Sequence, residues 1–238
     1  IVLGELAESG CVPRKTIVFA GTCDEERGGL GAKEIIKEYP DLFPELLLIG
    51  EPTSCQAGVA QKGCIWLKLS VSGKTSHGAE PWQGINALEQ GFGLLADLRE
   101  ELKREEHPVL GHSTLQITMA EGGIAPNMTP DRAKFLADIR IVPPLNEKEV
   151  LNRLECLMQK RCEVYNGGLA FVPEITNYRM PVETGPENQW LHRLKGFIGD
   201  DEGETGINYF TDASILLTAW PDSPALLFGP GEPQMCHN

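Results

Sequence analysis

Nothing in the 238 residues approaches the ~18–20 consecutive apolar residues that a bilayer-crossing helix needs. No stretch joins a basic start, an apolar middle and a small-residue cleavage site, so neither a membrane span nor an export signal is expected. Basic residues are scarce: 21 Lys and Arg stand against 34 Asp and Glu, for a net charge of −13 and a pI of about 4.9. Such a field repels phosphate backbones and anionic lipid, which excludes nucleic acid and a membrane surface as expected partners. Regular cysteine spacing is missing too. The seven cysteines (Cys11, Cys23, Cys55, Cys64, Cys156, Cys162 and Cys236) are odd in number and form no two-residue clip. That argues against a disulfide framework or zinc clip and for a reducing cytoplasm. Internal repeats and low-complexity tracts are absent. What is there, 41% hydrophobic, 23% charged and 7% aromatic residues, is the balance of a globular chain with room for one large or two small domains.

Apolar periodicity changes twice along the chain. Residues 1–10 read as the last turns of an amphipathic helix closed by Gly10, and a chain that starts there is expected to have had residues upstream. Residues 15–20 and 46–50 are short continuous apolar runs suited to buried strands, with helical spacing over 29–39 between them. From about Lys62 strict alternation takes over: Ile65, Leu67, Leu69 and Val71, then Leu115, Ile117 and Met119, then Phe135, Ala137, Ile139 and Ile141. Two helical faces interleave with these strands, one over Ile85 to Leu102 and one over Val150 to Met158, and a last strand is expected near 169–172. Strand, helix, strand, strand, helix, strand is a ferredoxin-like unit. Past Pro173 the buried-strand and helix pattern returns, with helices over 190–198 and 212–218 and a strand over 225–228. The fold class predicted is α/β, an α/β catalytic domain (1–60 and 173–238) interrupted by a ferredoxin-like α+β domain (61–172).

Ligands of open α/β sheets gather beyond the carboxyl ends of the strands. The strand ending at Ala20 is followed by Asp24, Glu25 and Glu26, the strand ending at Gly50 by Glu51, and the last strand by a loop leading to His237. Carboxylate and imidazole together form the ligand set of zinc, cobalt or manganese hydrolases, which also need one unligated carboxylate to take a proton from water. Taken singly, each has a plainer reading: an acidic helix start for residues 24–26, a turn residue for Glu51, a surface histidine for His237. Their shared position at strand ends of one sheet favours the chemical reading.

The motifs, in order, resemble those of the metallopeptidase and deacylase family of acetylornithine deacetylase, succinyl-diaminopimelate desuccinylase, aminoacylase and glutamate carboxypeptidase. They are Glu25-Glu26 before Gly28-Gly29, then Gly50-Glu51-Pro52-Thr53, Lys62-Gly63, Gly73 to Gly78 with His77, Gly122 to Asn127, Asp138-Ile139-Arg140, Thr211-Asp212-Ala213, and Gly229 to Gly231 with His237. The resemblance implies Glu25 as general base, Glu26 and His237 as ligands of one metal and Glu51 of another. Two divalent ions, zinc or else cobalt or manganese, are implied with them. It implies His77 as the histidine that stabilises an oxyanion in a neighbouring subunit, Asn127 and Arg140 as the grip on a substrate carboxylate, and Thr211 and Gly229 as pocket lining. The activity implied is hydrolysis of the amide bond of an N-acyl amino acid or short peptide by a cytoplasmic homodimer joined through its inserted dimerisation (lid) domain. The family's His-x-Asp segment and bridging Asp have no counterpart, and the resemblance places them before Ile1. These 238 residues alone are therefore expected to hold metal poorly and to be inactive. A non-catalytic homologue or fragment serving only as a dimerisation module is the second reading.

Other signals carry less. Gly73-Lys74-Thr75 lacks the upstream glycine of a phosphate loop, Cys236 beside His237 reads as an ordinary free thiol, His107 and His112 read as surface residues, and Trp66 and Trp82 as packing residues.

Overall fold

The computed structural model describes residues 2–26, 28–199 and 204–235, and its two sheets divide where the hydrophobic period changes. The first segment forms α1 (Val2–Glu8), α2 (Leu30–Glu38), β1 (Leu47–Ile49) and β2 (Gly58–Gln61). The middle forms β3 (Gly63–Ser72), α3 (Ala87–Leu102), a small hairpin of β4 (Glu106–His107) and β5 (Gly111–His112), then β6 (Thr114–Gly122), β7 (Arg132–Ile141), α4 (Glu147–Val164) and β8 (Ala170–Arg179). The last segment adds β9 (Val182–Glu183), α5 (Gln189–Ile198), β10 (Thr205–Ile207), α6 (Ala213–Ala219) and β11 (Ala225–Leu227).

The middle sheet has the order β6-β7-β3-β8, antiparallel throughout, with β3 paired along its length to both β7 and β8. This is the ferredoxin-like arrangement, and it follows from the alternation: Ile65, Leu67, Leu69 and Val71 all turn to one face and are buried under α3 and α4. Each helix starts at an asparagine whose side chain accepts backbone N–H groups, Asn86 for α3 and Asn146 for α4, the latter in a capping box with Glu149. β8 runs on to Arg179, so the inserted sheet continues past residue 172.

The other sheet is mixed, β1-β11-β2-β10 with β9 also on β2. Its strands bury alternate residues on two faces. Leu47 and Ile49 pack with Ala32, Ile215 and Leu216 of α2 and α6, while Leu226 packs with Leu191 of α5.

Three expectations fail here. Residues 15–20 form no strand: Ile17, Val18 and Phe19 are 56%, 63% and 78% exposed, because no described strand lies alongside to take their backbone hydrogen bonds. His107 is no surface residue but 5% exposed. Its Nδ1 accepts the backbone N–H groups of Val109 and Leu110, so Nε2 carries the proton and donates to Glu183 at 3.1 Å. Leu110, beside it, enters the core under α5, so the β4-β5 hairpin plugs the inserted unit into the first sheet. Trp82 does not pack either, being 75% exposed.

Gly91, in mid-α3, lies against Phe135, and a methyl group there would fall 2.1 Å from the ring, which is 1% exposed and set edge-on to Phe92. Alanine is the better helix former by ~1 kcal/mol. Overpacking a rigid core costs ~1–3 kcal/mol. Gly91→Ala should therefore lower the urea midpoint with no change in m-value, and a raised midpoint would show that the ring yields.

Candidate active site

Four carboxylates converge where the first sheet's strands end. Glu25 sits on a turn opened by Asp24 in the left-handed region (φ 64°), closed by Gly28 and Gly29 N–H groups donating to the Asp24 carbonyl. Gly29, also left-handed (φ 61°), lets α6 come close: a Cβ there would meet Ile215 at 2.1 Å and Asp212 Oδ1 at 3.2 Å. Asp212, before the first turn of α6, is thereby brought to the acidic turn. Glu51 follows β1 and is held from the other side. Thr53 and Cys55 N–H groups both donate to the Gly229 carbonyl, Ser54 N–H to that of Gly231, and any side chain on Gly229 would collide with Glu51 O at 2.6 Å.

Electrostatics records the crowding. Burial, then the charges of Glu26, Glu51 and Asp212, push the Glu25 carboxyl up to about 7, against a smaller opposing pull from Arg179. Burial, Asp212 and Glu26 push Glu51 up to about 6, partly countered by its hydrogen bond with Tyr209. Asp212 is 7% exposed, and its Oδ1 is buried without a hydrogen-bond partner among the described residues.

An orphaned buried carboxylate oxygen amid three more carboxyl groups is a donor set suited to a divalent cation. Among the described residues, however, no three His, Cys, Asp or Glu side chains close on one metal position. His237, expected as a ligand, lies outside the described residues.

The cationic side of the site comes from the inserted sheet. Arg140 (β7) and Arg179 (β8) both pair with Cys64 of β3, one from each flank. The fork of Arg140 is engaged by Asp138, Nε to Oδ1 at 2.7 Å and Nη2 to Oδ2 at 2.9 Å, and Trp66 Nε1 donates to the same carboxylate. Arg179, which carried no motif in the sequence, is 8% exposed and lines a cleft of about 430 Å³ with Lys33, Tyr178 and Ser214. Thr211 is 1% exposed, its hydroxyl donating to Gln61 Oε1 at 2.6 Å and accepting from Ala213 N at the start of α6.

His77 and Asn127 stand apart from this. Gly78 N–H donates to the Asn127 carbonyl, His77 forms a bridge with Met128, and the His77 Nδ1 accepts the Ala79 N–H, leaving Nε2 as the nitrogen for chemistry. Both lie beyond the Ser72 end of β3, whereas Arg140 and Arg179 flank Cys64 at its other end. Strand rise over that length separates the two ends by roughly 25 Å. One chain therefore cannot bring Asn127 and Arg140 to the same carboxylate.

Acidic loops at strand ends of an α/β sheet that a ferredoxin-like unit interrupts are the arrangement the motifs implied. Residues 59–166 match the M20 peptidase dimerisation domain. Acetylornithine deacetylases of Shigella sonnei (strain Ss046) and Pasteurella multocida (strain Pm70) are 29% and 28% identical to the chain, over 94% of its length. The chain spans 58% of the length of each of these relatives. In fold it is similar to the aminopeptidase PepT of Bacillus cereus (TM-score 0.67, 17% identity, 94% of this chain and 58% of that one). It is also similar to an M20 family metallo-carboxypeptidase of Sulfolobus solfataricus (TM-score 0.56, 15% identity, 87% and 63%). The resemblance read from the motifs is borne out: the chain is similar to M20 peptidases and acetylornithine deacetylases over nearly its whole length.

Glu25 and Glu51 stay protonated to higher pH in the folded state than at their ordinary 4.5, so the folded chain binds more protons than the unfolded one from about 4.5 up to 6 or 7. Stability should fall as pH rises through that window. With divalent cations chelated, Glu25→Gln should raise the melting temperature by a few degrees at pH 8 and hardly at all at pH 4.5. An equal gain at both would show that the carboxylate's charge is not the cause.

Proposed function

We propose that the chain is the base-bearing part of a metal-dependent hydrolase that cleaves the amide bond of N-acyl amino acids or short peptides. The observation that carries this reading is the convergence of Glu25, Glu26, Glu51 and Asp212 opposite two guanidinium groups, the buried Arg179 and the half-buried Arg140. Glu26 and Glu51, with His237, are the candidate ligands of two divalent ions, zinc or else cobalt or manganese. Such ions, when bound, acidify water and polarise a carbonyl. Glu25 takes the proton of the attacking water and passes it to the leaving amine. At the far side, Arg179 and the Arg140–Asp138 pair receive the substrate's carboxylate, for which a planar guanidinium is the matching partner. The site is thus bipolar, acidic at the scissile bond and cationic at the substrate's charged end.

The ~25 Å between the two ends of β3 supports a second part of the proposal, a homodimer in which His77 and Asn127 serve the partner's site. The dimerisation domain matched over residues 59–166 and the exposed edge strand β6 are consistent with that partner. No described helix is long and apolar enough to cross a membrane, and the six described cysteines are free thiols, which supports placement in a reducing cytoplasm.

In the metal-loaded protein carrying the upstream His-x-Asp segment that the resemblance implies, Glu25→Ala should lower turnover of N-acetyl amino acids by ~10²–10⁴ while metal content is unchanged, as expected for loss of a general base. Glu26→Ala should lose metal from one site. Equal metal loss in both would merge the two roles, and absence of both hydrolysis and metal binding even with the upstream His-x-Asp segment joined to the chain would favour the dimerisation-module reading. Mixing His77→Ala with Glu25→Ala subunits should restore activity, because one site of the mixed dimer holds an intact Glu25 and an intact partner His77. No recovery in verified mixed dimers would reject the shared site.

A further inference from the structure

The loop between β10 and α6, residues 208–212, touches both poles of the site. The Tyr209 hydroxyl faces Glu51, Asp212 lies among the carboxylates, and Thr211 is tied to Gln61. Phe210 stands between them, half-buried, and faces the other pole. The guanidinium carbon of Arg140 lies 5.6 Å from the centroid of its ring and that of Arg179 5.5 Å.

This double contact needs an explanation, because like charges do not converge without cause. The α-carbons of Arg140 and Arg179 flank Cys64 on either side, two strand spacings or about 10 Å apart. Their side chains nevertheless meet over one ring. Asp138 balances one charge. Cys64 balances none: it is wholly buried, which pushes its thiol up to about 11 and keeps it neutral. Lys62, also buried, adds a third cation whose Nζ donates to the His112 carbonyl. The negative face of the Phe210 ring offers the attraction that draws both guanidinium groups in, and it does so from the catalytic unit while both arginines belong to the inserted sheet.

We propose that Phe210 is a positioning residue for the substrate's carboxylate: its ring holds Arg179 and Arg140 at a set distance from the acidic cluster and so selects substrates that carry a free carboxylate. This deepens the amide-hydrolase reading and rests on it. Phe210 touches neither the scissile bond nor the water, so its effect falls on binding and not on the chemical step.

Two variants separate the ring from its bulk. Phe210→Leu removes the π-face and keeps an apolar side chain, while Phe210→Tyr keeps the face. For N-acetyl amino acids, Phe210→Leu should raise KM roughly tenfold with kcat within about twofold, and Phe210→Tyr should stay within about twofold in both. For the corresponding N-acetyl amino acid amides, the KM of Phe210→Leu should match that of the unaltered protein. The Hε resonances of Arg140 and Arg179 should move downfield in Phe210→Leu, as ring-current shielding is lost, and stay in place in Phe210→Tyr. An unchanged KM for free acids, or equal losses for acids and amides, would overturn the proposal. If the unaltered protein joined to the upstream His-x-Asp segment hydrolyses no N-acyl amino acid or peptide, the amide-hydrolase reading fails by itself. Calorimetric binding of N-acetyl amino acid carboxylates then decides the Phe210 proposal: roughly tenfold weaker binding in Phe210→Leu upholds it, and equal binding rejects it.

Discussion

Backbone hydrogen bonding along both flanks of β3 sets the distances on which the rest depends. Because Cys64 is paired to Arg140 on one side and Arg179 on the other, two cations from separate strands arrive at one end of the inserted sheet. Because the same pairing continues to Ser72, the loop bearing His77 is carried to the opposite end. A strand paired on both sides has no freedom to slip without moving every buried side chain to the wrong face. In the proposed dimer, the division of the site between two subunits would follow from strand length.

The catalytic sheet solves a different problem, that of keeping four carboxyl groups together. Its means are steric. Gly29 and Gly229 have no Cβ, which allows Asp212 to approach the acidic turn and the Glu51 loop to lie against the loop after β11. Burial and the neighbouring carboxylates together raise the values at Glu25 and Glu51. The loop of residues 208–212 lies between the two poles, Asp212 among the carboxylates and Phe210 against Arg140 and Arg179.

Much of the architecture was legible in the sequence because periodicity reports burial. Alternation at Ile65 to Val71 and Phe135 to Ile141 marked the strands of the inserted sheet, and the 3.6-residue spacing in α3 and α4 marked the helices above it. Short elements were legible only where a continuous apolar run marked them, as in β1 and β11. β2, β9 and β10 span two to four residues, too few for any period to register, and residues 15–20 had a strand's composition without a strand's neighbours. His107 beside Pro108 looked like a loop residue, and only the docking of the hairpin on the first sheet buries it.

For the site, sequence determined the acidic residues, since the doublet Glu25-Glu26 and Glu51 before Pro52 carry their chemistry in local motifs. What tertiary structure alone decided is which side chains share a space. Asp212 joined the carboxylates through a glycine contact, Arg179 joined Arg140 through strand register, and Phe210 met both across the seam between two domains. Asn127 and Arg140, 13 positions apart in the chain, were separated to opposite ends of the sheet. Sequence patterns report which residues are buried or chemically suited, because both are properties of single positions and their near neighbours. Proximity between residues far apart in the chain depends on strand pairing and helix packing, which no single position encodes.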